Sequence, residues 1–324
     1  MNDTGPYSNY RLTARLELAN KPGVFARVAA LLAEEQANLG AVDIVSATKT
    51  CMIRDVTFDA QSEAHGKKVL ARLAALSDVT VLSASDRIFL LHLGGKIRVE
   101  GKIAISTRNV LSMVYTPGVG RVAQAIAQDK SKVYAFTSKS NSVAIVTDGS
   151  AVLGLGNLGP EAALPVMEGK AMLFKELAGI DAWPLCLNTQ DPDAIVQIVQ
   201  GIAPGFGAIN LEDIGAPRCF EIERRLKQSL DVPVMHDDQH GTAVVILAAL
   251  TNALRVVGKR MEQVRVVVNG LGAAGTACCR MLLAAGVSHL LGCDKEGIIL
   301  YGEAEQLRAC RADLAACRTP DNPR

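Results

Sequence analysis

Two pairs of adjacent acids, Glu212-Asp213 and Asp237-Asp238, each follow a short apolar run, residues 208–211 and 232–235. Acids at the ends of neighbouring strands converge on one point above a sheet. They repel one another there unless a hard divalent cation with a taste for oxygen sits among them. The chemistry expected of these acids is therefore binding of Mg²⁺ or Mn²⁺. The plain alternative is two sets of surface acids at ordinary turns. Both pairs abut apolar strands in a chain that also carries a nucleotide-type glycine loop, and this favours the cation.

Two segments read G-x-G-x-x-G: Gly154-Leu-Gly156-Asn-Leu-Gly159 and Gly270-Leu-Gly272-Ala273-Ala274-Gly275. Only the second directly follows a β-rich run, 264–268, and directly opens an alanine-rich helix. The next strand-like run ends in Asp294, nineteen residues beyond Gly275. Such glycines permit a tight turn and close approach of a pyrophosphate to a helix N-terminus, and the acid accepts hydrogen bonds from ribose hydroxyls. Gly270, Gly272, Ala273, Ala274, Gly275 and Asp294 are thus the expected dinucleotide site. Asp294 favours NAD, because a 2′-phosphate would be repelled; Lys295 beside it leaves NADP open. The first loop is assigned to tight packing or to lining the substrate side.

His236 and His240 are four apart in H-D-D-Q-H, a spacing that also occurs in the zinc motif H-E-x-x-H. That motif needs one continuous helix. Pro233 precedes the segment and Gly241-Thr242 follows it, so a loop is expected here and zinc is not.

The elements that must position these residues read as α/β. Helices near 119–128, 160–177, 192–200, 217–229, 241–256 and 273–285 alternate with strands near 142–147, 182–187, 207–210, 264–269 and 289–293. Ahead of them, residues 11–18 alternate cleanly, with Leu12, Ala14, Leu16 and Leu18 on one face. A turn at 20–23 leads to a helix carrying Val24, Val28, Leu31 and Leu32, which Asn38-Leu39-Gly40 is expected to stop. Strands near 41–48 and 52–59 follow, then a helix capped by Ser62 and a strand at 79–83. The order is βαββαβ. Residues 86–114 read as a connecting stretch.

Composition bounds the rest. At ~150 residues per domain, 324 residues suggest about two domains, with three small ones open. With 49% hydrophobic and 21% charged residues, global disorder is excluded. A formal net charge of +1 argues against a nucleic-acid partner. The apolar run 243–250 falls short of the ~20 residues that cross a bilayer. No basic region followed by an apolar stretch opens the chain, so no export signal is expected. Eight cysteines without a C-x-x-C pair suit reduced thiols. The expectation is a cytoplasmic enzyme with no membrane partner.

Residues 8–86, with their N-K-P-G-V-F turn, resemble an ACT domain, a module that usually binds a small regulatory ligand such as an amino acid. From residue 86 onward the chain resembles the smaller bacterial malic enzymes. The resemblance rests on V-Y-T-P-G-V-G at 114–120, the run 146–184 containing G-L-G-N-L-G and M-E-G-K, and I-N-L-E-D-I at 209–214. M-H-D-D-Q-H-G-T-A at 235–243 and V-V-N-G-L-G-A-A-G at 267–275 complete it. It implies an ACT-like unit at 1–86, a catalytic and metal domain at 87–256, and an incomplete NAD(P)-binding Rossmann domain at 257–324. It further implies oxidative decarboxylation of malate to pyruvate and CO₂. Tyr115 matches the family's general acid and Lys170 its general base; Glu212, Asp213 and Asp238 match the metal ligands, and Asp237 matches the acid that orients the base. An amine that works as a base must be tuned down, here by metal charge and partial burial. A homo-oligomer and a small metabolite held near 20–23 and Asn38 are also expected.

Two departures stand out. Larger family members carry an arginine before the L-G-L-G segment that holds a substrate carboxylate, where this chain has Ala151. The stretch 304–324 adds no further strands, so the adenosine half of NAD is expected to be held better than the nicotinamide half. Two alternatives follow: an impaired ligand-binding, dimerising remnant, or a malolactic enzyme that retains its cofactor and releases lactate.

Overall fold

The computed structural model describes residues 10–294 and 297–298. Lys295, the 304–324 segment and most of the amino-terminal stretch lie outside the described residues. Packing divides the chain into two compact units, 1–96 and 97–324.

The first unit is a four-stranded antiparallel sheet. Its elements are β1 (Tyr10–Ala19), α1 (Val24–Glu34), β2 (Asn38–Ala47), β3 (Cys51–Ala60), α2 (Glu63–Ala74) and β4 (Val79–Asp86), in sheet order β2-β3-β1-β4. The alternation of β1 is realised: Leu12, Ala14, Leu16 and Leu18 are buried against Val28, Leu32, Val69 and Leu73. Ser62 caps α2 by accepting from the His65 amide. Asn38-Leu39-Gly40 does not stop α1. The helix ends at Glu34, a left-handed Gln36 (φ 57) turns the chain, and residues 38–40 already belong to β2, where Asn38 and Leu39 pair with β3. The expected connecting stretch is also partly ordered. Asp86 caps the short helix α3 (Arg87–His92), which packs on β1 and β4 and carries the first unit to residue 96.

The second unit begins with α4 (Arg108–Val114), α5 (Val119–Gln128) and α6 (Val133–Phe136). A doubly wound domain follows: β5 (Ser142–Thr147), α7 (Pro160–Ala178), β6 (Asp181–Cys186), α8 (Pro192–Ile202), β7 (Ala208–Leu211), α9 (Arg218–Ser229), β8 (Val234–His236) and α10 (Asp237–Val257). Its four strands are parallel in the order β6-β5-β7-β8. Strand β5 is buried on both faces. Ala144 and Val146 pack with Ile195, Val199, Ile222 and Leu226 of α8 and α9, and Ile145 packs with Met167 and Ala171 of α7. A continuous apolar run is what a strand between two helical layers requires. Last come β9 (Arg265–Asn269), α11 (Ala273–Ala284), β10 (His289–Asp294) and β11 (Gly297–Ile298), in the order β11-β10-β9.

Residues 237–241 form the first turn of α10 and not the expected loop. Pro233 ends its influence within the preceding strand. Asp237 and Asp238 then favour a helix start, since acids in a first turn complement the helix dipole. Helix α10 is long and apolar enough by length and composition to cross a bilayer. Its amino end, however, is fastened by polar contacts to Lys170, the Asp213 amide and Glu223.

Candidate active site

From β5 the chain passes to β6 on one side, then crosses back to β7 on the other. The loops leaving β5 and β7 therefore diverge, and the crevice at their carboxyl ends is where open α/β sheets bind ligands. The loop after β5 is stitched to the loop after β7. The Ala151 amide donates to the Asp213 carbonyl (3.0 Å), the Leu153 amide to Asp213 Oδ1 (3.4 Å), and the Gly215 amide to Ser150 Oγ (2.8 Å). Asp213 holds a left-handed backbone (φ 54), a conformation that concentrates at functional sites. The Leu158 and Gly159 amides donate to the Gly149 carbonyl, so the first glycine loop folds back on Gly149 beside the acids.

Into this crevice α7 brings Lys170, whose Nζ donates to Asp237 Oδ2 (2.6 Å) and lies 3.1 Å from Glu212 Oε1. Glu212 is also held by Asn210 Nδ2 (2.9 Å), and the Asp213 amide donates to Asp238 Oδ2 (2.8 Å). Three elements thus converge through Lys170, Glu212, Asp213, Asp237 and Asp238. Gly241 makes room for one of them, since a Cβ there would stand 2.6 Å from Asp237 Oδ1. Tyr115, at the carboxyl end of α4, is 64% exposed, and no hydrogen bond links it to Lys170 or the acids. The structure brings Lys170 and the four acids together, and Tyr115 is not among their hydrogen-bond partners. Asn210, the Leu153 amide and Gly241 belong to the site without being singled out by the sequence.

Burial pushes the Glu212 carboxyl up to about 7, only partly offset by Asn210 and Lys170. Burial and the charge of Asp238 push Asp213 up to about 6. Burial also pushes the Lys170 amine down, but Asp237 and Glu212 outweigh it and hold it above its ordinary value. In the chain alone Lys170 is an ammonium ion. At Glu212 and Asp213 the folded chain holds more protons than the unfolded one between about pH 4 and pH 7. Their contribution therefore turns against folding as pH rises through that window. The metal-stripped chain is expected to lose part of its urea midpoint between about pH 5 and pH 7.5, and saturating Mn²⁺ at the upper pH should restore it. A Glu212→Gln chain should show a shallower slope. A midpoint indifferent to Mn²⁺ would place the cation away from these acids.

Among the described residues, no group of three His, Cys, Asp or Glu side chains stands ready-made as a metal site. The acids instead turn to protein donors. Their chemistry nonetheless fits a hard cation. Asp213 Oδ2 is buried with no hydrogen-bond partner, and a desolvated carboxylate oxygen left bare is costly. The two histidines diverge: His240 Nε2 meets Glu223 Oε1 (2.7 Å), while the fully buried His236 ring has its Nε2 3.3 Å from Asp238 Oδ2. The two rings thus meet different acids, Asp238 and Glu223.

The second glycine loop lies between β9 and α11, as its pattern requires. Gly270 has φ 101, and a Cβ on Gly275 would stand 1.9 Å from the Gly270 carbonyl oxygen, so neither position admits a side chain. Gly272 precedes Ala273 and Ala274 in the first turn of α11, and Asp294 ends β10 beside the loop, where the Gly270 amide donates to the Cys293 carbonyl (2.8 Å). This cradle fits the pyrophosphate of a dinucleotide.

The class is thereby defined: a doubly wound domain with a lysine and four acids at its switch point, leading into a dinucleotide-type unit and preceded by a βαββαβ unit. The malic enzyme N-terminal domain family matches residues 95–227, and the ACT domain family matches residues 7–83. The chain is 50% identical over 311 residues to the NAD-dependent malic enzyme of Geobacillus stearothermophilus, covering 96% of this chain and 65% of that protein. It is 49% identical over 242 residues to the bifunctional malic/malolactic enzyme of Bacillus subtilis, covering 74% and 59%. The crystal structure of the NAD-dependent malic enzyme of Thermotoga maritima matches with a TM-score of 0.70 at 49% identity, over 73% of this chain and 63% of that one. The chain belongs to the malic enzyme family, with an ACT-like unit in front.

Proposed function

We propose that the switch-point site serves NAD(P)-linked oxidative decarboxylation of malate to pyruvate and CO₂. The observation that carries this is the convergence of Lys170 with Glu212, Asp213, Asp237 and Asp238, in a chain whose following βα turn carries a dinucleotide cradle. Glu212, Asp213 and Asp238 would hold Mg²⁺ or Mn²⁺; when bound, the cation supplies Lewis-acid polarisation and NAD(P) supplies the hydride acceptor. With the charge of the acids taken up by the cation, Lys170 would lose the proton it carries in the chain alone and, as the neutral amine, take the proton of the malate C2 hydroxyl, while Asp237 holds and orients it. Once C2 is oxidised, the C3–C4 bond breaks and CO₂ leaves. Tyr115 offers its phenolic proton to C3 of the resulting enolpyruvate.

Residues 257–294 form the opening of the dinucleotide domain in this reading, behind a catalytic domain that ends near 256. NAD is the cofactor and NADP the alternative, since relatives of both kinds match. The ACT-like unit holds a small metabolite near the 20–23 turn and Asn38, the protein is a homo-oligomer, and it works in the cytoplasm. A second reading has one specific support, the bifunctional malic/malolactic relative: the same residues oxidise malate, and the product leaves as lactate.

Calorimetric titration of malate into the chain tests the site. Malate is expected to bind at least about tenfold more tightly with Mn²⁺ than without, by the linkage that joins two ligands sharing a site. Equal affinity in both conditions would contradict a site built from these acids.

A further inference from the structure

Glu223 lies on α9, outside the crevice, and is 6% exposed. Its position is unusual in the sequence as well. Cys219, Ile222 and Leu226 form the buried stripe of α9, and Glu223 falls on that stripe. A carboxylate in such a place must be fully hydrogen-bonded to be tolerated. Four donors surround it. Oε1 accepts from the His236 amide (3.1 Å) and from His240 Nε2 (2.7 Å), and it pairs with Lys227 Nζ (2.8 Å). Oε2 accepts from Gln239 Nε2 (3.4 Å).

Three of these donors belong to one short segment. His236 is the last residue of β8 and the N-cap of α10, with no side-chain cap bond of its own. Gln239 and His240 lie in the first turn, on the flank facing α9. The residues between them, Asp237 and Asp238, reach the other way, to Lys170 Nζ and the Asp213 amide. Gripping positions 236, 239 and 240 fixes the roll of that turn, and the roll decides where positions 237 and 238 point.

We propose that Glu223 is the positioning residue of the acidic turn: its buried carboxylate clamps His236, Gln239 and His240 and so aims Asp237 at Lys170 and Asp238 at the crevice. The inference deepens the proposed function and rests on it for the metal, but the clamp itself can be tested without metal. Glutamine at 223 keeps size and shape while replacing one acceptor oxygen with a donor, which then faces donors.

The test uses the whole 324-residue chain. Hydrogen exchange is followed by mass spectrometry on wild type, Glu223→Gln and His240→Ala, first without metal. In Glu223→Gln, the amides of residues 236–241 should exchange at least about tenfold faster, with those of β5 and β7 unchanged, because the opening is local. Should Glu223→Gln fail to fold, His240→Ala, which removes one partly exposed donor, should show a smaller acceleration at the same amides. Unchanged exchange at 236–241, or the same acceleration throughout the chain, would overturn the proposal. Mn²⁺ titration then separates the two ideas. Wild type that binds Mn²⁺ alongside a Glu223→Gln chain weakened at least about tenfold supports both, in line with what groups behind metal ligands contribute. Equal Mn²⁺ affinity in the two chains overturns the aiming role. Wild type that binds no Mn²⁺ overturns the metal reading, and the exchange rates at 236–241 then decide for or against the clamp by themselves.

Discussion

Replacing Lys170 with alanine, in the protein extended to the length of its relatives, is expected to lower malate oxidation by roughly 10²–10⁴-fold, the range a positioned general base contributes. The dinucleotide should still bind within a few-fold, because Gly270, Gly272 and Gly275 lie on a different βα turn. The loss should fall on kcat, since the amine acts on a proton in flight. Lys170 sits 2.6 Å from Asp237 and 3.1 Å from Glu212, and it is the group through which those acids meet. Asp237→Asn should therefore give a smaller loss in the same direction: the amine remains but is less firmly aimed. Steady-state kinetics with a separate dinucleotide titration checks both variants. Near-normal turnover in Lys170→Ala would place the base elsewhere.

How much of this is legible in the sequence depends on the range of the interaction. The strand β5, the helix α7 and the βα turn at 270–275 are written in local pattern: a fully apolar run, a proline start with a long helical stretch, and glycines between a strand and a helix. Their bounds fall within a residue or two of expectation. The HDDQH segment departs from the expected loop because Pro233 and Gly241 are local breakers, whereas the helix there is imposed by distant partners. Lys170 holds Asp237, the Asp213 amide holds Asp238, and Glu223 holds Gln239 and His240. Glu223 does leave a trace in the sequence, an acid on the apolar stripe of α9. Tyr115 is the converse case. Its motif marks it, yet no hydrogen bond ties it to the lysine or the acids.

Asp213→Asn should weaken Mn²⁺ binding to the chain by at least about tenfold, since even residues that only support metal ligands contribute ~10–100-fold. Three features single out this acid. Its Oδ2 is buried without a partner, its backbone is held left-handed, and burial with the charge of Asp238 lifts its carboxyl to about 6. A cation at this carboxylate would meet the bare oxygen and offset the repulsion from Asp238. Asparagine removes the charge and leaves the Leu153 amide an acceptor, so the loop between β5 and α7 should hold and the fold should survive. Isothermal titration with Mn²⁺, alongside a thermal melt, reads both quantities. A variant that binds Mn²⁺ as wild type does, at equal melting temperature, would move the metal away from the β7 end.

The most direct measurement of the central claim is the product balance of malate turnover. The protein, extended to the length of its relatives, is given ¹³C-labelled malate, NAD and Mn²⁺, and pyruvate, lactate, CO₂ and NADH are quantified together. Pyruvate, CO₂ and NADH are expected in equal amounts, all of them lost in Lys170→Ala. Lactate and CO₂ without free NADH would contradict the claim in favour of the malolactic reading, and no malate-dependent product with Mn²⁺ present would contradict the assignment of the site itself.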